Sequence, residues 1–105
     1  MKFKIPNKLS QNLYNILRRA GYVAIHDRKS GKDSFSRKLS GEHYPRFHLY
    51  ISETIDEIIF DLHLDQSKNR YQGQTAHNAD YDSEQVKDEL IRVYQIVKEY
   101  LNQSR

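Results

Sequence analysis

Six residues able to hold a proton, an anion or a metal ion fall into two short alternating runs of this sequence. Arg46, His48 and Tyr50 alternate with Phe47, Leu49 and Ile51. Asp61, His63 and Asp65 alternate with Phe60, Leu62 and Leu64. A spacing of two puts each polar set on one side of an extended strand and each apolar set on the other. Imidazole nitrogens and carboxylate oxygens are the donors that zinc, nickel or manganese accept. Guanidinium and imidazole N–H groups also suit a phosphate, and Tyr44 and Tyr50 offer surfaces on which a base can stack. His77 is the further candidate, since it lies in a polar stretch that begins directly after Asp65. No H-E-x-x-H or H-x-x-E-H spacing is present, and no Gly-x-Ser-x-Gly elbow accompanies Ser34 or Ser36. His26 and His43 read as ordinary exposed histidines.

The elements that must position these groups follow from periodicity. Pro45–Ser52 and Glu57–Asp65 are the strongest strands, and Tyr22–Asp27 and Ser34–Leu39 are two more. Met1–Pro6 reads as an extended lead-in. A first helix is expected after Pro6, capped by Asn7 or Ser10, with Leu9, Leu13, Ile16, Leu17 and Ala20 on one face and Gly21 as its stop. A second helix is expected after a cap at Asp82, with Val86, Leu90, Val93, Val97 and Tyr100 as its stripe and Ile91, Tyr94 and Leu101 widening it. Its charged positions, Glu89 and Arg92 among them, are assigned to solvent. Residues 66–81 read as one long polar loop, and residues 102–105 as a frayed tail. The expectation is a single α+β domain over residues 1–105, in two layers and in the order α-β-β-β-β-α. Its antiparallel sheet carries both helices on one face. A four-residue loop Glu53–Asp56 would set His48 opposite Asp61, Arg46 opposite His63, Leu49 opposite Phe60 and Phe47 opposite Leu62.

Composition sets the outer limits. The chain has 105 residues, of which 37% are hydrophobic and 30% charged, and its mean hydropathy is −0.89. Eight Tyr and four Phe must supply much of a thin core. There is no Cys, which excludes disulfides, thiolate-bound metal and thiol catalysis. No apolar run approaches the roughly 20 residues of a membrane helix, and the first residues carry no secretory h-region. A cytoplasmic, non-membrane protein is the expectation.

The net charge of +3 conceals two unlike halves. Residues 1–50 carry eleven Lys/Arg against three acidic residues, and residues 51–105 carry six against eleven. A basic half of this kind is a nucleic-acid footprint when its charges share a surface. Arg18, Arg19, Arg28, Lys29, Lys32, Arg37 and Lys38 are its candidates.

Two segments, DRKSGKDSFSRKLSGEHYPRFHLYI (27–51) and FDLHLDQ…AHNADYD (60–82), resemble a group of small uncharacterised bacterial proteins from candidate phyla. LRRAGYVAI (17–25) also resembles the first helix and strand of the HicA-type mRNA interferase toxins. That likeness implies a double-stranded-RNA-binding-like fold. The toxins' Gly-Ser-His at the next hairpin reads Ser30-Gly31-Lys32-Asp33-Ser34 here. The two-histidine phosphoesterases are a looser likeness, with His48-Leu49-Tyr50 and His63-Leu64-Asp65 in place of their His-x-Thr or His-x-Ser.

Three functions are therefore expected in turn. The first is a small binding module for nucleic acid or a phosphate-bearing ligand, using the open sheet face and the basic half. The second is a metal-assisted phosphoesterase or nuclease centred on His48 and His63, with a divalent metal as its cofactor. The third is a protein-interaction or homodimerisation domain. Because Arg46 would stand beside His63, phosphate-like anions are expected to bind ahead of Zn²⁺.

Overall fold

The computed structural model describes residues 1–66 and 79–101. Its strands are β1 (Lys2–Pro6), β2 (Val23–His26), β3 (Asp33–Lys38), β4 (Arg46–Glu53), β5 (Glu57–Asp65) and β6 (Ala79–Asp80). Helix α1 (Leu13–Arg19) lies between β1 and β2, and helix α2 (Glu84–Lys98) follows β6. The strands form one antiparallel sheet in the order β1-β5-β4-β3-β2, with β6 also on β5.

The α+β class and the two layers are as expected. Phe3 of β1 stacks on Phe60 at 4.4 Å and meets the Tyr94 ring of α2 edge-on. Tyr14 of α1 meets Phe35 of β3 edge-on. Phe35 is opposite Leu49, and Leu49 is opposite Leu62. Both helices therefore cover the same face. Leu49, Phe60 and Leu62 are fully buried beneath them, together with Ile16, Leu17, Val86, Val93 and Val97.

Several expectations are corrected. Met1–Pro6 is no lead-in, because Lys2–Pro6 is a full strand on β5, with Phe3 and Ile5 facing the core. Among the described residues the sheet thus has six strands rather than four. Helix α1 begins later, at Leu13, and is capped by Asn12, whose Oδ1 accepts from the Tyr14 amide at 2.8 Å. Asn7 and Ser10 are used elsewhere: the Asn7 side chain donates to the Thr54 carbonyl and the Ser10 amide to that of Tyr100. Leu9 pairs with Leu101 instead of joining the helix. The cap of α2 is Ser83 rather than Asp82, its Oγ accepting from the Val86 amide. Ile91 is exposed. Gly21 does end α1, at φ +98°.

The hairpin between β4 and β5 is shifted by two residues. The Thr54 amide donates to the Glu57 carbonyl at 2.8 Å, while Thr54 Oγ1 accepts from the Asp56 and Glu57 amides. Only Ile55 and Asp56 form the tip, so β4 runs to Glu53 and the pairing slides along. Leu49 stands opposite Leu62 and Phe47 opposite Leu64. A slip of two preserves which face each side chain occupies, but it changes every cross-strand partner.

Glu89 is the other surprise. It is only 5% exposed and accepts from Tyr22 Oη at 2.6 Å and Arg92 Nε at 2.8 Å, with Arg37 Nη1 at 3.6 Å. Arg92 also donates to the Ala20 carbonyl. A buried carboxylate persists only when charge and hydrogen bonds meet it, and here they bring α1, α2 and β3 together. The stretch 67–78, which contains His77 and most of the expected loop, lies outside the described residues, as does the tail 102–105.

Candidate functional site

On the sheet face away from the helices, register decides which side chains meet. Strand β5 contributes Asp61, His63 and Asp65. Strand β4 sets Tyr50 opposite Asp61, His48 opposite His63 and Arg46 opposite Asp65. The expected His48–Asp61 and Arg46–His63 pairs are therefore replaced. Strand β3 sets Ser34 opposite Tyr50, Ser36 opposite His48 and Lys38 opposite Arg46.

Asp65 is the hub. Its Oδ1 lies 2.8 Å from His63 Nε2, and its Oδ2 lies 3.1 Å from His48 Nδ1 and 3.3 Å from Arg46 Nε. Burial alone would push this carboxyl up. The hydrogen bonds and charge of His48 and His63 overcome that and hold it well below the usual carboxylate range. Asp65 is therefore ionised at neutral pH. The second nitrogen of His48, Nε2, is 2.8 Å from Ser34 Oγ. His63 is buried at 8% exposure, a cost its bond to Asp65 offsets.

Rings frame the cluster. Tyr50 and His63 stack at 5.4 Å, His48 lies 4.4 Å from Tyr50, and Tyr81 stands 5.2 Å from His63 on its other side. The Arg46 guanidinium sits over the Tyr44 ring at 4.8 Å. Burial, with the Asp65 charge nearby, raises the Tyr50 phenol and keeps it neutral.

Of the expected ligand-binding residues, Arg46, His48, Tyr50, His63 and Asp65 come together. Asp61 shares the face and stands opposite Tyr50 and Lys2. His77 lies outside the described residues. The seven basic candidates do not converge. Arg18 and Arg19 sit on α1, with Arg19 bonded to Tyr100 Oη. Arg28, Lys29 and Lys32 occupy the turn between β2 and β3. Arg37 points to Glu89 on the helix side, and Lys38 alone of the seven joins the open face.

Sequence reasoning missed Ser34 and Tyr81. Strand parity carries a signal for Ser34, since it shares the face of Ser36 and lies one strand from Tyr50. Ser34–His48–Asp65 has the connectivity of nucleophile, base and orienting carboxylate. Ser34 is nevertheless paired in the ladder to Ile25 and Tyr50 on its two sides. That setting differs from the exposed strand-to-helix elbow of serine hydrolases.

What fold and site define is a two-layer α+β domain whose sheet face, away from the helices and uncovered among the described residues, bears a partly buried His–His–Asp cluster ringed by tyrosines. No family model, no curated protein and no solved structure matches the chain.

Proposed function

We propose that the protein is a binding module whose open sheet face takes a phosphate-bearing ligand with an aromatic base, namely a nucleotide or a short single-stranded nucleic acid. The row of rings Tyr50–His63–Tyr81 carries this reading. Its outer members are 46% and 56% exposed, although a tyrosine with no partner to meet gains from burial. Bases stack on aromatic side chains of open sheets in this way, at roughly 1–3 kcal/mol per base. Lys2 and Lys4 on β1 and Lys38 on β3 flank the row on the same face and supply phosphate partners. Arg46 stands within the cluster itself, and the remaining basic residues of the N-terminal half contribute long-range attraction rather than contacts.

A labelled single-stranded ten-nucleotide RNA, titrated at low salt and followed by fluorescence anisotropy, tests the reading. Binding should weaken with salt, and Tyr50→Ala should reduce affinity about five- to a hundredfold by the loss of one stacked base. No anisotropy change at low salt, with either the RNA or a labelled mononucleotide, would refute it.

A further inference from the structure

We infer that His48, His63 and Asp65 form a binding site for a divalent transition-metal ion of the zinc class, through His48 Nδ1, His63 Nε2 and the Asp65 carboxylate. One donor atom from each of the three lies within 4.8 Å of the others. Ligands about 2.0–2.2 Å from a tetrahedral ion stand roughly 3.4 Å apart. The observed separations of 2.8 and 3.1 Å between the imidazole nitrogens and the carboxylate need little adjustment. Two nitrogens and one carboxylate oxygen match the ligand preferences of zinc-like ions rather than those of Mg²⁺ or Ca²⁺.

The surroundings fit as well. A ligating histidine usually has its other nitrogen held by a hydrogen bond, and Ser34 Oγ does this for His48 at Nε2. In the metal-free protein Nδ1 faces Asp65 and Nε2 faces Ser34. Where Nδ1 donates to Asp65, Ser34 donates to Nε2, and with an ion at Nδ1 it is Nε2 that carries the proton and Ser34 that accepts it. A hydroxyl serves either arrangement because it both donates and accepts. The register also gives Arg46 a place beside the ligand carboxylate, where its charge is met by Asp65. Arg46 stands opposite Asp65 rather than His63, and its Nε binds Oδ2, leaving Oδ1 turned to His63. A carboxylate ligand anchored by a neighbouring donor is the ordinary arrangement. All three ligands sit on the adjacent central strands β4 and β5, which fixes their spacing.

This site goes beyond the ligand-binding reading and does not depend on it, so the ion is tested alone. Zn²⁺ is titrated into the full chain by calorimetry, with Mg²⁺ in parallel, while the imidazole nitrogens are followed by NMR. One Zn²⁺ per chain is expected, with His48 Nδ1 and His63 Nε2 moving together and no response to Mg²⁺. Ser34→Ala should weaken Zn²⁺ about ten- to a hundredfold. His63→Gln should abolish binding, and His26→Ala should leave it unchanged. If His63→Gln does not fold, the ring spectra of the unaltered protein decide. No binding at millimolar Zn²⁺, shifts confined to His26 or His43, or an unchanged affinity in Ser34→Ala would overturn the assignment.

Discussion

Asp65 and Arg46 stand directly opposite each other across β4 and β5, and this one pairing organises the site. Arg46 binds Oδ2 from the facing strand, while His63, two residues along the same strand, takes Oδ1. Asp65→Ala should therefore disturb three partners at once, leaving Arg46 and two imidazoles without their acceptor. The expected loss is about 1–3 kcal/mol, measured as a lower urea midpoint. Asp65→Asn should lose less, because the amide keeps the shape and one acceptor oxygen. Equal stability of Asp65→Ala and the unaltered protein would show that the cluster does not hold the strands.

Leu62 lies fully buried between His63 and Asp61 in sequence, and opposite Leu49 in space. Leu62→Ala should cost roughly 2–5 kcal/mol, through lost burial and the cavity left behind. In a domain whose whole stability is of order 5–15 kcal/mol, that should appear as a large fall in Tm. A change of a degree or less would contradict the packing described.

Alkaline pH should weaken the fold through Tyr22. Burial and the hydrogen bond to Glu89 raise its phenol well above the ordinary value. The unfolded chain ionises near pH 10, whereas the folded one does not. Stability is then complete below about pH 10 and declines as pH climbs beyond it. Denaturation curves at pH 8 and pH 11 should separate for the unaltered protein, and less so for Tyr22→Phe. An equal loss in both would remove Tyr22 from the account.

Thr54 sets the register, so Thr54→Val should loosen the hairpin tip. The amides of Asp56 and Glu57 lose their Oγ1 acceptor, and their hydrogen exchange should accelerate. The stability cost should be about 0.5–1.5 kcal/mol. Unchanged exchange at both amides would mean that the backbone alone fixes the turn.

How much of this is legible in the sequence differs from element to element. Strand parity is robust, since alternation over eight or nine residues leaves one solution for which side chains share a face. That is why Arg46, His48, Tyr50, His63 and Asp65 gather as expected. The partner of each is not legible, because it depends on whether Thr54 closes a two- or a four-residue turn, a matter of one hydroxyl. Strand β1 is only five residues long, so the alternation of Lys2 and Lys4 with Phe3 and Ile5 is brief, and its pairing with β5 shows Phe3 and Ile5 to be core. Glu89 reads as solvent-facing because a helical stripe records hydrophobicity and cannot register a carboxylate stabilised by Tyr22 between α1 and β2, Arg37 of β3 and Arg92 of its own helix.

The strand that carries His63 and Asp65 is flanked on both sides, by β4 along one edge and by β1 and β6 along the other. Local fluctuations that free a residue start at edges and ends, and β2 is such an edge here while β5 is not. His48 and His63 lie inside β4 and β5, away from that edge, while Asp65 is the last residue of β5. An incoming partner therefore meets imidazoles already held by the sheet and loses little entropy in ordering them. Anything bound there then raises the resistance of the entire chain to unfolding by mass action, and a shift in the melting curve becomes a direct readout of occupancy.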